Sequence, residues 1–221
     1  MYFAIIGDIK DSKKIKDRAG FQKKLGELLV KINTDYASTI AANFIITIGD
    51  EFQGLLASPQ YILNIIERIK FGLYPVRVRF GIGGGSIETE IIREMAIGAD
   101  GPAYHLARKM ISGIKAGERG KMSTSTDIKI SGDLDPSVLE LINSNLCLCS
   151  FIESKWTKKQ RLLIEDSILS NRSQREIAAR FGISQSSVQR RFKNAGYYDY
   201  IHARKIINNI LMEKWGAKTA E

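Results

Sequence analysis

Two aspartates stand where a carboxylate could do chemistry. Tyr2-Phe3-Ala4-Ile5-Ile6-Gly7 is an almost wholly apolar run that stops at Asp8, and Asp50 lies in Gly49-Asp50-Glu51 between two β-rich runs. Taken singly, each has an ordinary role, Asp8 as a cap or turn residue and Asp50 as hairpin chemistry. Taken together they form a pair of hard oxygen ligands. A Mg²⁺ or Mn²⁺ ion held by two carboxylates completes its shell with water and substrate phosphates, so a nucleoside triphosphate is the implied ligand.

A second group of residues lies in Ser173-Gln174-Arg175-Glu176-Ile177-Ala178-Ala179-Arg180-Phe181-Gly182-Ile183-Ser184 and the segment that follows it. Ser173 and Glu176 have the spacing of a capping box, Gly182 can take the left-handed conformation of a sharp turn, and Ser184 can cap a second helix. Ile177, Phe181, Ile183, Val188 and Phe192 would supply the buried faces. Ser184, Gln185, Ser186, Gln189, Arg190 and Lys193 would then face outwards, as side chains able to reach base edges and phosphates of double-stranded DNA. The structural alternative is an ordinary αα-hairpin with glycine in its turn.

The elements that must position these groups follow from periodicity. After the opening strand, Phe21, Leu25, Leu28, Leu29 and Ile32 recur at helical spacing, so the spacing predicts a helix from Asp17 to about Asp35. Phe44–Ile48 and Phe52–Leu56 read as a hairpin, Pro59 opens a second helix, and Val76–Ile82 alternates as a strand. Pro102 begins a third helix running to about Ser112, and 122–130 reads as a further strand. The order β-α-β-β-α-β implies an α+β chain with a ferredoxin-like sheet, in which the end of the first strand lies beside the tip of the hairpin. That adjacency is what would bring Asp8 to Asp50. The segment from Asn143 to Lys155 reads as irregular, which sets a boundary between a 1–150 α/β domain and an all-α helix-turn-helix domain at 151–221. After Gly196, Ile201, Ile206, Ile207, Ile210, Leu211 and Trp215 form an apolar stripe that either packs on the domain or pairs two subunits.

Several of these segments resemble known families. Gly7-Asp8-Ile9-Lys10-Asp11-Ser12 is similar to the first metal motif of class III nucleotidyl cyclases, and Ile48-Gly49-Asp50-Glu51-Phe52 resembles the turn of GGDEF diguanylate cyclases, with Ile48 in place of the first glycine. Arg79-Phe80-Gly81-Ile82-Gly83-Gly84-Gly85 resembles the glycine-containing strand of the cyclases, and Gly98–Arg108 their later helix. The two-helix segment resembles those of site-specific recombinases and sigma-factor-like regulators. Over its whole length the chain resembles the SatD family. What the cyclase resemblance implies is metal ligation by Asp8 and Asp50, phosphates cradled by Ile9, Lys10, Asp11 and Ser12 with Gly49 beside them, and Arg108 opposite the transition-state charge. Tyr104 stands where those cyclases place an asparagine, a departure that bears on turnover.

Composition narrows the remaining classes. Of the formal net charge of +9, residues 1–150 carry +2 and residues 151–221 carry +7, so the basic field is C-terminal and suits a polyanion. Cys147 and Cys149 are too close for a good disulfide and too few for a zinc centre. The opening strand is unlike a signal peptide and no apolar run is long enough for a membrane helix, so a cytoplasmic protein with no membrane partner is expected. The functions that fit are a DNA-binding regulator with a nucleotide-binding domain, or a nucleotidyl cyclase or nucleotidyltransferase with an accessory helix-turn-helix. A homodimer is the natural match to symmetric DNA half-sites.

Overall fold

The computed structural model describes residues 1–119 and 126–216. It is a mixed α/β protein of five strands and eight α-helices among the described residues. The strands are β1 (Tyr2–Ile9), β2 (Ile40–Ile46), β3 (Glu51–Leu56), β4 (Val78–Gly85) and β5 (Ile128–Ser131), in the order β2-β3-β1-β4-β5. β1 is central and antiparallel to both β3 and β4, and β5 adds parallel to β4. Of the predicted 122–130 strand, residues 128–130 lie in β5, residues 126 and 127 do not, and 122–125 lie outside the described residues.

Side chains alternate across a strand, and the two faces of this sheet differ in kind. Phe3, Ile5 and Ile9 of β1 join Phe80 and Ile82 of β4 in the larger core, beneath α1 (Arg18–Asp35) and α2 (Ile62–Leu73). The opposite face carries Ala4 and Ile6 and is covered by α3 (Pro102–Arg119). There the glycines of β4 have a concrete use. A Cβ at Gly81 would stand 2.1 Å from the Ala107 carbonyl oxygen, and one at Gly83 would stand 2.0 Å from that of Ala103. The glycine run is therefore a strand on which a helix backbone rests directly, and not a flexible bend. That close seat brings the far end of α3 to the end of the sheet.

Both sheet edges are closed by an asparagine. Asn33 of α1 accepts from the Phe44 amide at 2.8 Å and donates to the Phe44 carbonyl at 2.9 Å, and Asn143 does the same to Ile130 at 2.8 and 2.9 Å. A side-chain amide thereby takes the place of a missing neighbour strand.

Asn143 belongs to a helix, which corrects the reading of 143–155 as irregular. α4 runs unbroken over Pro136–Ser154, with Pro136 at its first position and the Asp135 carboxylate accepting from the amides of Ser137 and Val138. Its polar Asn143-Ser144-Asn145 stretch suggests a loop in the sequence because the strand that Asn143 serves, 13 residues before it, is brought alongside only by folding. The expected boundary at 150 falls inside this helix. Ile142 and Leu146 of α4 lie in the sheet core, while Cys149 lies in a second core with α5 (Lys158–Ser170), α6 (Gln174–Phe181) and α7 (Gln185–Asn194).

α8 (Tyr197–Gly216) returns across both cores. Tyr200 sits in the helical core, whereas Ile207, Leu211 and Trp215 enter the sheet core, where the Trp215 ring lies 5.1 Å from that of Phe3. Of the apolar stripe after Gly196, Ile207, Ile210, Leu211 and Trp215 thus pack on the sheet core, Ile201 packs on the helical core and Ile206 is exposed. α8 is also fastened to α2: Arg204 pairs with Glu67 at 2.9 Å, Tyr200 donates to Glu67 at 3.1 Å, and Arg204 donates to the Leu63 carbonyl at 2.8 Å.

Candidate functional site

Cross-strand register builds the cleft. Asp8 lies opposite Glu51 of β3 on one side and Arg79 of β4 on the other, so the three side chains share the α3-facing side at one end of the sheet. α3 supplies Lys115 from above. Asp8 is buried, and its carboxylate accepts from Arg79 Nη1 at 2.6 Å and from Lys115 Nζ at 2.6 Å. Lys115 also lies 3.9 Å from Glu51. The hairpin brings Asp50 to the same place: its carbonyl accepts from the Ile9 amide at 3.1 Å, and its carboxylate accepts from the Ser12 hydroxyl at 2.5 Å. Asp8, Ile9, Asp11, Ser12, Lys13, Lys14, Asp50, Arg79 and Lys115 line one cavity of about 350 Å³.

The two aspartates therefore converge on one cavity. The expected phosphate cradle is corrected in part. The Ile9 and Lys10 amides are spent on Asp50 and Arg77, and the Lys10 side chain turns away to Glu118 at 2.5 Å and Asp127 at 2.8 Å. Asp11, in a left-handed conformation, and Ser12 begin a short 3₁₀ turn whose side chains face the cavity. Gly49, also left-handed, shapes the hairpin tip and accepts from Gln22. Arg108 is exposed, lies outside the cavity lining and pairs loosely with Glu51 at 3.7 Å. Tyr104 is buried in the apolar layer under α3, and its hydroxyl has no partner among the described residues. Burial pushes its phenol well above the usual range.

Sequence reading misses Arg79, Lys115 and Glu118. Arg79 falls on the polar side of the alternating Val76–Ile82 pattern and so reads there as an ordinary solvent-facing residue. Lys115 and Glu118 continue the face of Arg108 beyond the predicted helix end at Ser112, since α3 runs to Arg119.

From this cleft a polar network leads across the molecule. Arg79 holds Glu118 at 2.7 Å, Lys10 joins Glu118 to Asp127, and Lys70 of α2 lies 3.8 Å from Asp127 and 2.5 Å from Glu153 of α4. Glu153 accepts from Arg161 of α5 at 2.9 Å. The Arg161 guanidinium lies over the Trp156 ring at 5.3 Å, and the Trp156 indole N–H donates to the Ala195 carbonyl, at the end of α7, at 2.9 Å. Burial works to raise the Asp127 and Glu153 carboxyls. Burial is the largest single influence at each, but Lys70, Lys10 and Arg77 together outweigh it at Asp127, and Lys70 and Arg161 together do so at Glu153, so both lie below the ordinary carboxylate range. Glu118 is likewise held low, its burial outweighed by Arg79 and Lys10.

The helical end carries the second predicted set. Ser173 and Glu176 make a reciprocal capping box at the start of α6, Gly182 ends it at φ 62°, and Ser184 accepts from the Ser187 amide at the start of α7. Val188 and Phe192 anchor α7 in the helical core, while Ser184, Gln185, Ser186, Gln189, Arg190 and Lys193 are all exposed. His105 is exposed and pairs with Asp100 at 3.0 Å, so it has no part in the cleft. Cys147 and Cys149 are free thiols.

Among the described residues, no cluster of three or more His, Cys, Asp or Glu side chains could hold a metal, and no helix is long and apolar enough to cross a membrane. The cleft offers the carboxylates of Asp8, Asp11 and Asp50, an oxygen donor set of the kind that suits a hydrated Mg²⁺ shared with phosphates. Fold and site together define a mixed α/β protein whose charged cleft and helical module are joined by one polar network. The profile of the SatD family matches residues 2–211, and the chain belongs to that family. Comparison with curated proteins gives no match.

Proposed function

We propose that this SatD-family chain is a DNA-binding regulator whose sheet domain binds a nucleoside triphosphate with a divalent cation. The observation that carries the reading is the face of α7: Gln185, Ser186, Gln189, Arg190 and Lys193, with the capping Ser184, stand exposed on a helix whose other side is locked in a core and whose entry is a capped, glycine-ended turn. This is the presentation a recognition helix needs to reach base edges and phosphates. The C-terminal +7 supplies sequence-independent attraction to the duplex.

For the sheet domain, the β2-β3-β1-β4 order supports a ferredoxin-like, cyclase-related palm, and the cleft supports an anionic ligand. Asp8 and Asp50 would hold the cation, which when bound would neutralise phosphate charge. Arg79, Lys115, Lys13 and Lys14 are placed to receive phosphate oxygens. Asp8 already has two cationic partners, so an incoming metal must displace at least the half-exposed Lys115, which then becomes free to bind phosphate. Ligand binding without turnover fits better than cyclase or nucleotidyltransferase chemistry. Tyr104 is buried where a cyclase needs a polar contact, and Arg108 pairs outside the cavity.

The test is a titration of the full chain with labelled ATP and GTP in Mg²⁺ or Mn²⁺, alongside a labelled duplex. Nucleotide binding abolished by Asp8→Ala and by Asp50→Ala, with no product formed, is the expected result. Product lost in both variants would establish the enzyme instead. Failure of the wild type to bind either nucleotide would remove the ligand half of the proposal.

A further inference from the structure

We infer that the ion-pair ladder from Asp8 to Arg161 couples occupancy of the cleft to the setting of α7, so that nucleotide and DNA each change the other's affinity. The inference rests on the proposed function and adds the regulation of that site.

The ladder is continuous and alternates in sign. Asp8, Arg79, Glu118, Lys10, Asp127, Lys70, Glu153 and Arg161 follow one another at separations of 2.5 to 3.8 Å, crossing from the end of β1 to α5. Asp127, Glu153 and Arg161 are all buried, and with Lys70 they line a cavity of about 250 Å³ beside the ladder. In such surroundings charges are weakly screened, and removal of one partner is felt by the next. Local stability does not require so long a chain, because isolated pairs such as Arg68 with Asp35 occur elsewhere on α1 and α2.

One end of the ladder lies in the cleft, and the other reaches the C-terminal end of α7 through Trp156. At one end, Arg79 divides its guanidinium between Asp8 and Glu118, and a cation on Asp8 leaves Arg79 to Glu118 alone. The coupling requires that ligand binding shift Arg79 from this shared arrangement to a second one, since coupling between distant sites needs an element with two states. At the other end, Arg161 lies over Trp156, whose indole holds the carbonyl that closes α7. α4 is bound in once more, through Ser150, which accepts from the Asp127 amide. A shift at Asp127 is therefore passed to the helix that joins the two cores.

The experiment measures duplex affinity of the full chain by fluorescence anisotropy, using a labelled mixed-sequence duplex, with and without saturating ATP or GTP in Mg²⁺. In the wild type one nucleotide should shift duplex affinity by about tenfold, within the usual span of allosteric coupling, and saturating duplex should shift nucleotide affinity by the same factor. Glu118→Gln and Glu153→Gln keep shape and hydrogen-bonding capacity while removing one charge each. Neither residue lines the cavity or the exposed face of α7. Glu153→Gln, remote from both sites, should bind each ligand alone with the coupling factor reduced to about one. Glu118→Gln, which alters the partner of Arg79, should lose the coupling whatever its nucleotide affinity, and Asp35→Asn, off the ladder, should keep it. Circular dichroism melts identify any variant that has unfolded, in which case the other carries the test. Both ligands binding with no wild-type coupling, or coupling retained in both ladder variants, overturns this inference and leaves the proposed function standing. A wild type that binds only one ligand overturns the proposed function and the coupling with it.

Discussion

Asp8 shows why a carboxylate pair must be judged with its counter-charges. A buried carboxylate facing Arg79 and Lys115 is already neutralised, so a metal competes with two bound cations. Replacing the more exposed one should ease entry: Lys115→Met is expected to tighten Mg²⁺ or Mn²⁺ binding, read by calorimetry, while weakening nucleotide binding for want of a cationic phosphate partner. Weaker binding of both would mean that Lys115 serves only to hold the fold. On α7, Arg190→Ala with Lys193→Ala should weaken duplex binding and lower the slope of log affinity against log salt by about two, one for each phosphate no longer neutralised. An unchanged slope would exclude this face. Such exposed side chains follow directly from helical periodicity, which is why all six are legible in the sequence. Arg79 does not stand out there, because its importance depends on which strand pairs beside it.

At the scale of elements, local rules are obeyed closely. The Ser173–Glu176 capping box, the Gly182 turn and the Ser184 cap are where spacing predicts them, because each involves atoms only a few residues apart. Gly182 has open space around the position of a Cβ, so Gly182→Ala should cost only the left-handed backbone penalty, about 1–2 kcal/mol in chemical denaturation. Asn143 illustrates the opposite case. Asn143→Leu would strip the Ile130 amide and carbonyl of their partners at the sheet edge, with an expected destabilisation of about 1–3 kcal/mol and faster hydrogen exchange along β5. An effect no larger than that of Asn145→Leu, whose side chain bonds only within its own helix, would show that the edge needs no closure. Nothing near Asn143 in sequence announces this role, and so the polar stretch of the helix reads as a loop.

For the whole molecule, the division into a sheet domain and a helical domain is crossed twice, by α4 and by the return of α8. Trp215 is fully buried against Phe3 and donates to the Asp133 carbonyl at 3.3 Å. Trp215→Ala should therefore cost about 3–5 kcal/mol and destabilise the sheet, although the residue lies at the far end of the helical part. Independent melting of an intact sheet domain in that variant would contradict the arrangement. Acid should act through the ladder. The Asp127, Glu153 and Glu118 carboxyls lie below their ordinary values in the fold, so their stabilisation is complete above the ordinary carboxylate range and declines as pH drops beneath it. It is gone once pH has fallen through the lowered folded values. Glu153→Gln should flatten that acid limb in denaturant titrations.

By itself the sequence determined the order of the principal strands and helices, the capped turn before α7, its exposed face and the C-terminal concentration of positive charge. These follow from hydrogen bonding and side-chain periodicity over a few residues, or from counting. Tertiary structure decided that Asp8 and Asp50 share a cavity, that Arg79 and Lys115 occupy Asp8, that Lys10 turns away from it, and that α8 belongs to two cores. Each of these depends on which distant segments meet across the sheet, and the energy of a buried charge is set by neighbours that the chain brings to it only on folding.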